Sequence, residues 1–182
     1  MKSLSTLVVL SFLMLFSTAQ LDSQLDQMPH EMYKLDWPAG EVWQLATRDE
    51  TDKVLRIEMV RTSSSPEYQA DQIVMTSHKG MQKMDVENIM RALYQEALRT
   101  CYTARLTVID KDLSTEFPWV IFGIECKVRD NGEPGESQIW QVVQGKFALY
   151  TNARLFHATP VSEETKQKTA SFFKTGRIVY NN

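Results

Sequence analysis

The sequence predicts an α+β fold: a mainly antiparallel sheet of about six to seven strands with two packed helices, at 86–101 and 163–175. Three observations predict it. Short segments of alternating apolar and polar residues recur along the chain, separated by turn formers. Two other stretches keep a helical period instead. The segments between 105 and 156 follow one another through short turns, as strands of an antiparallel meander do.

The elements are justified in order. Residues 1–19 have the form of a secretory signal peptide: Lys2, the apolar run LVVLSFLMLF, then the small residues STA. Cleavage is expected after Ala19, and the run is too short to span a bilayer. Residues 20–36 are polar and without period, and read as a flexible leader. A single domain is expected over 37–182. Pro38 and Gly40 make a turn, and 41–47 reads as a strand with Trp43 and Leu45 on one face. KVLRIEMVR alternates, with Leu55, Ile57 and Met59 inward, so a hairpin with the first strand is expected. TSSSPE is loop and DQIVMTS a short, weak strand.

Asp85 is an N-cap for a helix over 86–101. Val86, Ile89, Met90, Leu93, Tyr94, Ala97 and Cys101 fall on one arc of it, and Glu87, Arg91, Gln95 and Arg99 fall opposite. Then come ARLTVID, PWVIFGIECKV, QIWQVVQ and KFALYTNARLF, all read as strands, with a hairpin turn at DNGEPGES and a turn at Gly145. Ser162 caps the second helix, Glu163 and Glu164 suit the positive end of its dipole, and Gly176 is its expected C-cap. RIVY reads as a short edge strand or a trailing end.

The chain has two cysteines. Cys101 lies in the apolar stripe of the first helix and Cys126 on the apolar face of a strand. An exported chain meets an oxidising compartment, where disulfides persist. A Cys101–Cys126 bond would tie helix to sheet. The other reading is two buried thiols that pack apart as small apolar groups. Neither position has the exposure or the activating neighbour of a nucleophile.

Few function classes find support in the residues. The formal charge is −3, and −4 once Lys2 is removed with the signal peptide, which suits nucleic acid poorly. His30, His78 and His157 are scattered and match no zinc spacing. Asp49, Glu50 and Asp52 lack the alternation of a calcium loop. DNGEPGE lacks the lysine of a phosphate loop. Ser63 to Ser65 have no nucleophile-elbow context. No cofactor or metal is expected, and no catalytic residue is singled out.

The aromatic pattern is more informative. Trp119 and Ile121 lie opposite Cys126 on their strand, and Tyr150 and Phe156 lie opposite Phe147 and Leu149. The second face of the sheet is therefore partly apolar, and something must cover it. The closing helix, with Phe172 and Phe173, is one cover. A binding surface at Trp119, Ile121, Tyr150 and Phe156, beside that helix, is the other.

The order of these elements resembles the PsbP-like α/β/α sandwich, named for an extrinsic protein of photosystem II. PWVIFGIECKV, QIWQVVQGKFALYTNARLF and SEETKQKTASFFKTGRI carry the resemblance. It implies a small exported or adaptor protein that binds partners and is not an enzyme. It implies no site residue, because no site motif of that group is matched. A cystatin-like or other sheet-and-helix fold is the alternative.

The expectation from sequence is thus a secreted or periplasmic protein with a non-enzymatic binding or accessory role. It would act through a protein partner or a small apolar ligand, with no nucleic acid and no membrane span after signal cleavage. The alternatives are an extracytoplasmic hydrolase with a site assembled across the fold, and an oligomeric envelope interaction protein.

Overall fold

A computed structural model describes residues 30–62, 71–157 and 160–181. The signal peptide, the cleavage point after Ala19, most of the leader, the side chain of His30 and the serines at 63–65 lie outside the described residues. By contacts the chain divides into a compact unit, Glu31–Val179, and a second, Met1–His30 with Tyr180–Asn182. In the second, the described residues His30, Tyr180 and Asn181 are strand ends.

Nine strands and two helices are described: β1 (His30–Lys34), β2 (Trp43–Glu50), β3 (Val54–Arg61), β4 (Gln72–Lys79), α1 (Val86–Leu98), β5 (Arg105–Asp112), β6 (Trp119–Glu125), β7 (Ser137–Gln144), β8 (Ala148–Phe156), α2 (Glu163–Phe173) and β9 (Arg177–Asn181). Seven strands form one sheet in the order β2-β3-β4-β8-β7-β6-β5, and every neighbour pairing in it is antiparallel. The α+β class with a mainly antiparallel sheet and two helices is therefore what the chain adopts. β1 and β9 form a separate two-stranded sheet.

The two faces of the large sheet bury different cores, as the period of two along a strand requires. Val120, Phe122, Ile124, Val142 and Leu149 pack with Val86 and Met90 of α1. Ile121, Ile139 and Ile73 face the other way and pack with Ala170, Phe172 and Phe173 of α2. Phe122 and Phe173 are both fully buried. Truncating either to alanine costs about 3–5 kcal/mol, the transfer term plus the cavity left behind. α1 also carries the chain from β4 in mid-sheet to β5 at the far edge, after which β6, β7 and β8 return.

Both helix starts follow from their capping residues. Asp85 Oδ1 accepts the Glu87 N–H at 2.8 Å, and Ser162 Oγ accepts the Thr165 N–H at 3.2 Å. Each helix ends earlier than its pattern suggests. In α1 the Arg99 and Thr100 N–H groups turn to carbonyls three residues back, Glu96 and Ala97, which tightens the last turn; Cys101 lies just past the helix, its N–H still reaching the Ala97 carbonyl at 3.1 Å. Cys101 is nonetheless buried and bonded to Cys126, with Sγ atoms 2.14 Å and Cα atoms 6.1 Å apart. The bond joins the turn after α1 to the residue after β6.

Three further departures have physical causes. β4 is a full central strand where the sequence suggests a short one. Its eight residues pair with β3 on one side and β8 on the other, so ladder bonds define it more than alternation does. β6 ends at Glu125, and Val128 lies beyond it in an isolated bridge to Pro134. The polar stretch 20–36, expected as a flexible leader, contains strand β1, whose side chains are anchored by groups more than a hundred residues away.

Candidate functional site: a cavity between the two sheets

Glu31 and Tyr33 share one side of β1, being two residues apart on a strand. The Glu31 carboxylate accepts the N–H groups of Lys146, Phe147 and Ala148 at 2.8, 3.1 and 3.1 Å, and the Tyr150 hydroxyl at 3.1 Å. Successive N–H groups in a turn form an anion-binding concavity, and here the β7–β8 turn holds a carboxylate of its own chain. Gly145 has no room for a side chain, because a Cβ would stand 2.1 Å from Glu31 Oε1.

Tyr33 stacks on Tyr150 with ring centroids 5.4 Å apart. Its hydroxyl donates to Gln141 Oε1 at 2.9 Å, with Phe173 O at 3.2 Å as a second acceptor. Gln141 is buried on β7, and its amide orientation is fixed by its partners. Oε1 also accepts from Asn152 Nδ2 at 3.0 Å, and Nε2 donates to Phe173 O at 3.0 Å. This network satisfies polar groups in mid-sheet and caps a carbonyl at the end of α2. Burial holds the Tyr33 phenol well above its ordinary range, with the Gln141 hydrogen bond acting in the opposite direction.

Beside this network lies an open cavity of about 490 Å³, within the range of small-molecule sites. Its aromatic wall is Tyr33 with Phe117 and Trp119; Val143 and Ile178 add apolar surface. Gln141 lies at its polar side. Thr115 and Glu116 come from the β5–β6 loop, and Lys174, Gly176 and Arg177 from the junction of α2 with β9. The loop is braced internally. Asp112 Oδ1 accepts from the Ser114 N–H and hydroxyl at 2.9 and 2.8 Å, and Thr115 Oγ1 donates to Phe117 O at 2.9 Å. Those bonds from Ser114 hold the Asp112 carboxyl below its usual range.

Two ion pairs flank the opening. Lys174 Nζ lies 3.0 Å from Asp110 Oδ2, and Arg177 reaches both oxygens of Asp36 at 2.7 and 2.6 Å. The hydrogen bond from Lys174 holds Asp110 below the ordinary carboxyl range.

Gly176 departs from its expected role as C-cap. The C-cap of α2 is Lys174, and Gly176 is not among the positive-φ glycines, Gly40, Gly80 and Gly132. Its requirement is space. A Cβ at 176 would lie 1.7 Å from the Tyr33 hydroxyl oxygen.

The four residues read from sequence as a binding surface divide. Trp119 lines the cavity and is partly exposed. Ile121 is fully buried under α2, and Tyr150 is 3 % exposed beneath Tyr33 and Glu31. Phe156 sits elsewhere on the same face, against the guanidinium of Arg154, whose carbon is 5.3 Å from the Phe156 ring and 5.4 Å from that of Trp43. Arg154 is buried and donates from Nε to Asp71 Oδ1 at 2.8 Å; its Nη2 pairs with Asp71 Oδ2. That cluster is a compensated buried charge.

Among the described residues no histidine, cysteine or serine lines the cavity. Among the described residues no group of three or more His, Cys, Asp or Glu is placed to hold a metal ion. No helix among them is long and apolar enough to cross a membrane. The arrangement offers shape, aromatic surface and a few polar groups, which suits binding.

No protein-family model and no curated protein matches the sequence.

Sequence reasoning missed Glu31, Tyr33, Gln141, Phe117 and Ile178. The period-two placement of Glu31 and Tyr33 is a signal, but five residues are too few to distinguish a strand from polar coil. Gln141 follows Trp140 in a segment read as a strand, and a polar residue inward in a strand asks for a partner.

Proposed function

We propose that this chain is an exported, non-enzymatic binding protein that holds a small, largely apolar ligand in the cavity against Trp119. The observation that carries this reading is the cavity itself. Its aromatic wall stands beside a buried polar network anchored by Gln141, the usual composition of a small-molecule site. The Cys101–Cys126 bond supports the exported compartment. The resemblance to PsbP-like proteins points to the same class, small exported proteins without catalytic activity. The mature chain begins at Gln20, which N-terminal sequencing of the secreted protein checks.

The ligand reading is tested by titrating the protein with a neutral apolar fluorophore, N-phenyl-1-naphthylamine. Saturable, one-to-one binding is expected. Trp119→Ala weakens it about tenfold or more, as loss of an aromatic anchor does, while the circular dichroism spectrum stays native. Absence of saturable binding, or an unchanged affinity in a folded Trp119→Ala protein, overturns the reading.

A further inference from the structure

We infer that the natural occupant of the cavity is an amphiphile with a carboxylate head, and that the head lies toward Lys174 and Arg177. The inference rests on the cavity being a ligand site and names the class of ligand. Lys174 and Arg177 come from one short junction, the end of α2 and the start of β9, and both line the cavity. Each already faces an acid, Asp110 and Asp36, but the pairs are open to water. The side chains are 45 % and 42 % exposed in one pair, 55 % and 59 % in the other. Ion pairs so exposed contribute about 0–1 kcal/mol. Lys174 and Arg177 each have further donors, so a carboxylate entering the cavity can pair with one of them beside the acid already there. It also joins its charge to an apolar body that the aromatic wall receives.

Two features oppose an anion, and both are answered by geometry. The C-terminal end of a helix carries partial negative charge. Here the Phe173 carbonyl already accepts from Gln141 Nε2 and from the Gly176 N–H, each at 3.0 Å. The Phe172 carbonyl accepts from the Thr175 hydroxyl at 2.7 Å. Glu116 lines the cavity too, but it belongs to the β5–β6 loop. It therefore orients the ligand, with the head toward the α2–β9 junction and the body along Trp119 and Phe117. A cationic head would meet Lys174 and Arg177 in the same lining and would have Glu116 as its acid there.

The test is calorimetric titration with three probes that share one body: 4-phenylbutanoate, 4-phenylbutanamide and 4-phenylbutylamine. The acid binds about three- to fivefold tighter than the amide, the yield of one exposed ion pair, and the amine binds weakest. The advantage of the acid disappears in the Lys174→Gln, Arg177→Gln double variant. In the unaltered protein it also shrinks at 1 M salt, a readout that does not depend on how that variant folds. An amide that binds as tightly as the acid, with no effect of salt, overturns the anionic head and leaves the cavity reading standing. A preference for the amine overturns it as well. If none of the three binds and the neutral fluorophore also fails, both readings fall.

Discussion

Replacing Gly176 with alanine adds one methyl group where the structure has no space for it. The new Cβ would stand 1.7 Å from the Tyr33 hydroxyl oxygen and 2.2 Å from Cζ. The ring cannot swing aside cheaply, because it is stacked on Tyr150 and hydrogen-bonded to Gln141. Overpacking of this kind costs about 1–3 kcal/mol, and loss of the Tyr33–Gln141 bond adds about 1 kcal/mol. The expected destabilisation is about 2–4 kcal/mol, which lowers the urea midpoint by roughly 1–2 M at typical slopes. The substitution is then repeated in a Tyr33→Ala background, where the obstructing ring is gone. There its cost falls below about 0.5 kcal/mol, and the difference is the coupling between the two sites. Tyr33→Phe relieves the conflict only in part, because Cζ remains. The reasoning is refuted if Gly176→Ala leaves the midpoint unchanged, or if it costs as much without Tyr33 as with it.

Other consequences are as direct. Glu31→Ala removes a carboxylate that accepts four hydrogen bonds. It should cost about 2–3 kcal/mol and speed amide exchange at Phe147 and Ala148; unaltered exchange there would contradict the clasp. Replacing both Cys101 and Cys126 with serine releases a 25-residue separation and lowers stability by about 3.5 kcal/mol on the chain-entropy account, read from denaturation with and without reductant. Burial lowers the pKa of His78 from its ordinary value of 6.5, so the folded state takes up that proton less readily than the unfolded chain. Its share of stability is therefore complete above about pH 6.5 and is lost as the pH falls toward the folded value. His78→Gln should flatten the stability profile in that window and nowhere above it.

What the sequence revealed of this fold was local. The caps Asp85 and Ser162 announce their helices because the chemistry of an N-cap lies within three residues. The strands of the meander announce themselves by alternation, and Cys101 and Cys126 could be placed near one layer because each sat on an apolar face. Helix ends were less legible, since the tightening at Arg99 and Thr100 leaves no mark in composition. β1 was illegible: HEMYK has no useful period, and its reasons for being a strand are Gln141, the β7–β8 turn and β9. The cavity escaped for the same cause. A loop, a helix end and two terminal strands build it, and only the sheet brings them together. Trp119 was visible because its strand is apolar on both sides. That argument could not separate it from Ile121 and Tyr150, which the same pattern marks and the fold buries.

The clasp between Glu31 and the β7–β8 turn has a bearing on how the molecule comes into being. A chain made from its N-terminus exposes β1 early, yet every group that holds β1 emerges much later. Tyr33 and Phe173, which share a hydrogen bond, are 140 positions apart, and β9 follows both. The opening strand must therefore wait, unsatisfied, through nearly the whole of synthesis. A chain stopped before α2 would lack the cover that Phe172 and Phe173 give to Ile121 and Ile139. The cavity is thus among the last features to exist, and a ligand that fits it would report completion of the fold.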